Sequence, residues 1–196
     1  MVVLPAIERF GNEAKGYDRI STSNFSQVRD TAILKHGGAM MNVFNSEAVR
    51  FFADNGYDSV CLSTEMNLGQ IKAISKDIPL EAVVYGYLPV MTVQNCVIKS
   101  AYGKCSCDRG VHTLVDRKGA RFNVVTDKTN CTNTIFNSAP LYMGDKMADI
   151  RHSGISYANL SFTFESGEEI DRIFDLYAKG KSFDKAFTRG HFYRGV

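Results

Sequence analysis

Apolar and polar positions along the first half of the chain predict strands and helices in turn. Residues 2–4 form a short apolar run stopped by Pro5, and residues 17–23 read as a weaker strand. A helical segment is predicted over 27–35 and a strand over 39–44 (AMMNVF). Asn45 or Ser46 then caps a helix that carries Val49, Phe52 and Ala53 inward and ends at Gly56. Residues 59–63 (SVCLS) predict a strand, 66–75 a helix with Leu68, Ile71 and Ile74 at helical spacing, and 80–88 another strand. Strands separated by single helices at roughly 20–25-residue intervals mark parallel βαβ units. The near-continuous apolar run EAVVYGYL (81–88) suits a strand covered on both faces.

The rhythm breaks after Met91. Residues 92–140 are polar, cysteine-bearing and predicted to be mostly irregular or β. Within them, 113–116 and 121–125 flank Arg117-Lys118-Gly119, a hairpin with glycine at the left-handed position. The α/β rhythm returns after Leu141. A short helix over 145–152 closes at Gly154, and a strand over 159–164 alternates Leu160, Phe162 and Phe164. Ser166 and Glu169 then form a capping box for a helix striped with Ile170, Ile173, Phe174 and Tyr177, which stops at Gly180.

The pattern fits two α/β folds, and no glycine-rich phosphate loop follows any strand, so a partial (β/α) TIM-like barrel is preferred to a doubly wound sheet. Three parts follow: half a barrel over 1–91, a cysteine-rich metal-binding insertion over 92–140, and a closing α/β segment over 141–196. Five barrel strands before Thr92 and one after it fall short of the eight that a barrel needs. The expectation is a piece of a longer chain lacking an N-terminal half, or a sheet closed by dimerisation.

Composition changes this picture little. Hydrophobic residues make up 44% of 196, charged residues 22%, and the net charge is +2, so no global field selects nucleic acid or membrane as partner. No stretch approaches the ~20 apolar residues of a membrane span, and residues 1–5 do not read as a secretory signal. A cytoplasmic, reducing location is expected, where five cysteines point to metal or redox chemistry rather than to disulfides.

Four of them, Cys96, Cys105, Cys107 and Cys131, lie in the insertion, while Cys61 lies in a predicted strand and reads as a core residue. Thiolates suit zinc and iron–sulfur clusters alike. The scattered spacing favours the larger cluster, because structural zinc usually takes two close Cys pairs.

At these residues the sequence resembles the collagenase-like U32 peptidase family. The resemblance is carried by YGYLPVMTVQNC (85–96), KCSC (104–107), LVDRKGARFNVV (114–125), the Asn-Cys pair at 130–131 and FNSAPL (136–141). MNVFNS (41–46), LSTEMNLGQI (62–71), FTFES (162–166) and TRGHFYRGV (188–196) extend it over nearly the whole chain. It implies a (β/α) barrel whose insertion holds a 4Fe–4S cluster on Cys96, Cys105, Cys107 and Cys131. The chain departs from it in having Cys-x-Cys where Cys-x-x-Cys is expected. Relatives with assigned chemistry resemble oxygen-independent hydroxylases acting on RNA bases or quinone precursors, and the expected partners of this chain are such a substrate and a second U32-family subunit or the missing N-terminal half.

The family name says peptidase, yet no zinc-protease or serine-elbow motif is present, and His36, His112, His152 and His191 are scattered with no nucleophile evident beside them. Three readings therefore stand: an iron–sulfur hydroxylase, a collagenase-like peptidase, and a non-catalytic barrel piece stabilised by metal. Between Lys99 and Lys128, seven Lys and Arg face three Asp, and Arg109, Arg117, Lys118 and Arg121 are the candidate substrate contacts for phosphates or another anion. The alternative is a solvated loop or counter-charge for a thiolate cluster. At the C-terminal ends of the predicted strands stand Asn45, Ser63, Glu65 and Tyr87. Asn45 and Ser63 read as helix caps, and Glu65 with Arg117 as the candidate catalytic groups.

Overall fold

A computed structural model of the chain describes residues 1–4, 17–25, 34–105, 111–128 and 131–195. Its elements run β1 (Val2–Val3), β2 (Arg19–Thr22), β3 (Leu34–Gly37), α1 (Ser46–Asp54), β4 (Ser59–Cys61), α2 (Leu68–Ala73) and β5 (Leu80–Gly86). There follow β6 (Pro89–Val93), α3 (Val97–Tyr102), β7 (His112–Val115), β8 (Arg121–Asp127) and β9 (Thr132–Phe136). The chain then forms β10 (Leu141–Tyr142), α4 (Met147–His152), β11 (Tyr157–Ser161) and α5 (Gly167–Lys179).

β1 to β5 pair in chain order, all parallel, and β11 adds to β5 in the same sense. The strand order is sequential, without the reversal that marks a doubly wound sheet. Among the described residues the sheet stays open and no closed barrel forms. The architecture is a mixed α/β one: an open parallel sheet, edged by antiparallel β10, and a separate antiparallel sheet in the order β6-β9-β8-β7. The insertion is thus more regular than its polarity suggests, because cross-strand pairing orders it.

Local signals explain most elements. Asn45 Oδ1 accepts the Ala48 N–H at 2.8 Å and starts α1, which buries Val49 and Phe52 and ends before Gly56 (φ +69°). Asn67 with Gln70 and Ser166 with Glu169 form reciprocal capping boxes for α2 and α5, and Gly180 ends α5 in the left-handed region. The helix predicted over 27–35 lies outside the described residues except at Leu34 and Lys35, which belong instead to β3. AMMNVF is not a strand: residues 39–41 form a 3-10 turn, Asn42 turns left-handed, and only Val43 bridges to Leu62. The missed strand is polar, since Lys35 lies over the Tyr57 ring and donates its Nζ to the Asn55 carbonyl at 2.9 Å. β11 ends at Ser161, three residues short of the predicted stop, and Phe174 points into solvent instead of the core.

The main core joins Val49, Phe52, Val60, Leu62, Ile71, Leu80, Ala82, Val84 and Ile150, between the sheet and α1, α2 and α4. Cys61, on the other face of β4, is also fully buried, as expected of a core thiol, and burial, then the Glu81 carboxylate, push its thiol pKa up. A second core packs Tyr85 and Tyr142 against Ile173 of α5, Phe183 and Phe187. Asp145 ties the last segment down: its Oδ1 and Oδ2 accept from the Arg189 guanidinium at 2.6 and 2.8 Å, and Arg189 also donates to the Tyr142 carbonyl. That bidentate bond, together with the guanidinium charge, outweighs burial and holds the Asp145 carboxyl below its ordinary pKa.

Two predictions follow from these contacts. Gly86 has φ +135°, and an added Cβ would collide with the Ser161 carbonyl oxygen, so Gly86→Ala should cost about 3 kcal/mol or more in urea unfolding. Asp145→Asn should cost about 2 kcal/mol at neutral pH. Because the folded carboxyl pKa is depressed, this stabilisation is complete above the unfolded value of about 4 and fades as pH falls through the folded one. The gap between wild type and variant in thermal melts should therefore close in acid.

Candidate functional site

β5 delivers the chain to the insertion, and the pairing register fixes where its residues lie. Pro89 pairs with Phe136 and Val93 with Asn133, so β6 and β9 meet the parallel sheet at the Pro89–Phe136 end, where the Asn137 N–H also donates to the Leu88 carbonyl at 2.9 Å. Phe136 packs on Phe164, and Phe164 on Tyr87, with ring centroids 5.2 and 5.4 Å apart. These rings dock the insertion on the strand ends.

The cysteines lie at the other end of the antiparallel sheet. Cys96 comes three residues after Val93, and Cys131 two before Asn133, in the connection that follows Asp127, the partner of Thr132. The Asn133 side chain donates to the Asn95 carbonyl at 3.3 Å and ties the two connections together. Cys96 Sγ accepts the Lys99 N–H at 3.3 Å, and Cys131 adopts φ +53°. Cys105 is exposed beyond α3, and Cys107 lies outside the described residues. Cys96, Cys105 and Cys131 thus belong to the two connections at this sheet end. Among the described residues no three His, Cys, Asp or Glu side chains are gathered tightly enough to hold a metal ion. The donors suit a thiolate-bound centre in kind. β6 carries the chain about 16 Å before Cys96 is reached, so these connections lie a strand length from the end of β5 rather than directly over it.

The hairpin forms as the sequence predicts. β7 pairs with β8, Asp116 Oδ1 accepts the N–H groups of Lys118 and Ala120 at 2.7 and 2.8 Å, and Gly119 has φ +83°. Asp116 is held by the turn itself, and Arg117, Lys118 and Arg121 are exposed. The turn lies at the opposite end from the cysteines, about 20 Å along β8. The local charge surplus therefore divides: Lys99, Lys104 and Lys128 go with the cysteine connections, and the hairpin cations with the docked end. Arg109 lies outside the described residues.

At the ends of β5 and β11 a cleft of about 80 Å³ is lined by Tyr85, Tyr87, Phe164, Glu165, Arg172 and Lys185, among others. The Tyr85 hydroxyl donates to Glu165 Oε1 at 2.8 Å, and Oε2 accepts the N–H groups of Thr163 and Phe164. Burial, then the Glu165 carboxylate, raise the pKa of both Tyr85 and Tyr87. Lys185 pairs with Glu169 at 2.6 Å, and Arg172 with Asp184. Glu65 is exposed away from this cleft, Asn45 caps α1, and Ser63 Oγ accepts the Glu65 N–H at 3.4 Å.

With this geometry in view, the comparisons with known proteins divide sharply. The family model of peptidase family U32 matches residues 26–190. The chain belongs to peptidase family U32. No curated protein and no solved structure matches it. In this U32 chain no helix among the described residues is long and apolar enough to cross a membrane.

The structure also holds a polar group that the sequence did not suggest. His36 pairs with Ser59, and Cys61 with Glu81, so alternation puts all four side chains on one face of the sheet. The opposite face, at Gly37 and Val60, approaches Phe52 of α1. His36 Nδ1 lies 2.8 Å from Ser59 Oγ, His36 Nε2 lies 3.4 Å from Glu81 Oε1, and Asn159 Nδ2 donates to that same oxygen at 2.7 Å. His36 thus stands beside a serine hydroxyl, although the histidines are scattered along the sequence. Burial drives the Glu81 carboxyl up, but hydrogen bonds from His36 and Asn159 outweigh it and leave the pKa below its ordinary value. The one signal in the sequence was an acid at the start of an otherwise apolar strand. The Tyr85–Glu165 pair gave none, since its members are 80 residues apart.

Glu81→Ala leaves His36 and Asn159 without their acceptor and should cost about 3 kcal/mol in denaturant unfolding, whereas Glu65→Ala should stay within about 0.5 kcal/mol.

Proposed function

We propose that this U32 protein is an iron–sulfur-dependent, oxygen-independent hydroxylase of an RNA base or quinone precursor, or a subunit of one. Its parallel sheet is read as part of a (β/α) barrel, in keeping with the sequential strand order. The observation that supports the reading is that Cys96 and Cys131 flank the same end of the antiparallel sheet, where the Asn133 side chain ties their two connections together; Cys105 and Cys107 are assigned to the site by the resemblance. These four thiolates would hold a 4Fe–4S cluster, with zinc as the other occupant their chemistry allows. When bound, such a cluster supplies electron transfer or Lewis-acid polarisation that side chains lack.

The chain's own residues have separable tasks in this reading. The Lys99 amide supports the Cys96 sulfur. Lys99, Lys104, Arg109 and Lys128 offset the charge of the centre and draw in an anionic substrate. Arg117, Lys118 and Arg121, about 20 Å away at the hairpin end of β8, would contact a distant part of a long anionic substrate such as RNA, and the roles of Arg117 and Glu65 in catalysis rest on the family motif alone. A second U32 subunit would complete the open sheet, and a cytoplasmic location suits reduced thiols.

Anaerobic purification should give about four irons and four acid-labile sulfides per chain. Cys96→Ser and Cys131→Ser should each lose most of that iron, while Cys61→Ser keeps it. Zinc without sulfide would leave only a structural role for the insertion, and absence of any metal from reconstituted protein would sink the reading. Gelatin cleavage that survives chelation would favour the peptidase alternative.

A further inference from the structure

The group on the sheet face turned away from α1 has an order that a purely structural polar cluster does not require: hydroxyl, imidazole, carboxylate, amide. Glu81 Oε1 is an acceptor and already receives Asn159 Nδ2 at 2.7 Å, so the His36 nitrogen facing it at 3.4 Å carries the proton. That leaves Nδ1 as the acceptor of the Ser59 hydroxyl at 2.8 Å. Nucleophile, base and orienting acid are thus linked in one chain across β3, β4 and β5, and Asn159 of β11 fixes the acid. His36 and Glu81 are nearly enclosed, with side-chain exposures of 9% and 13%, while Ser59, at the start of β4, keeps partial access to solvent. A low-dielectric setting of this kind strengthens such links.

We propose that Ser59, His36 and Glu81 form a second site, independent of the cysteines, that hydrolyses small acyl esters. The near-enclosure of His36 and Glu81 favours a small acyl group over a folded polypeptide. Ser59 Oγ attacks the ester carbonyl carbon as its proton passes to His36 Nδ1. The bond from that carbon to the alcohol oxygen breaks, and the alcohol leaves with the proton. Water, giving a proton to the same nitrogen, attacks the acyl-serine, and transfer of that proton back to Oγ releases the acid and restores Ser59. Glu81 keeps the imidazole in the required tautomer and offsets the charge it gains.

The test treats the intact chain with a fluorophosphonate probe and locates the adduct by peptide mass spectrometry, with p-nitrophenyl acetate hydrolysis measured in parallel. The expected adduct is on Ser59, and His36→Gln should slow both labelling and hydrolysis about 100-fold. Ser59→Ala should abolish the adduct with little change in thermal melting. Chelation of metal should leave labelling intact. No adduct on folded wild-type protein, an adduct elsewhere, or unchanged hydrolysis by Ser59→Ala would each overturn the proposal. Labelling lost on chelation would assign the reaction to the cysteine centre and overturn it as well.

Discussion

The whole molecule hangs on the pairing of β5. A strand has two edges, and β11 takes one of them from Glu81 to Gly86. β4 at Leu80 and Glu81 and β10 at Tyr85 and Gly86 must then share the other. Both faces are covered too, since Leu80, Ala82, Val84 and Tyr85 are all buried. A strand closed on every side has no freedom to slip, because a shift of one residue would turn Glu81 into the apolar core and Leu80 into the polar cluster. Gly86 is where this crowding is tightest.

That fixed strand positions three separate chemistries. At its start Glu81 meets His36, Cys61 and Asn159; near its end Tyr85 meets Glu165; and just beyond it the chain departs into the antiparallel sheet. The insertion is docked by rings, Phe136 on Phe164 on Tyr87, and not by a broad apolar face. Its far end is therefore free to carry polar connections, cysteines and lysines, which a buried segment could not accommodate. Binding energy from a metal would stabilise a region that has little apolar burial of its own.

The separation of the hairpin from the cysteines reshapes the charge picture. Arg117 and Cys131 are only 14 positions apart in sequence, and the run of charge over 99–128 joins the hairpin to the cysteine-bearing stretches. Antiparallel pairing places turn and connection at opposite ends of β8, so neighbours in sequence become distant in space. The reverse holds for His36 and Glu81, which are remote in sequence and adjacent on the sheet.

The sequence by itself determined what short-range physics controls: the capped helices α1 and α5 with their glycine stops, the apolar spacing of α2, the β7–β8 hairpin, the buried Cys61 and the family motifs. It misread β3, because a polar strand with a snorkelling lysine lacks the apolar periodicity that marks strands, while the apolar AMMNVF bends into a turn just after the Gly37-Gly38 pair. Tertiary structure alone decided the open sheet, the end of the insertion that holds the cysteines, the Tyr85–Glu165 cleft and the Ser59–His36–Glu81 line. Those features depend on register between strands, and register is set by pairing across dozens of residues, which no local pattern encodes.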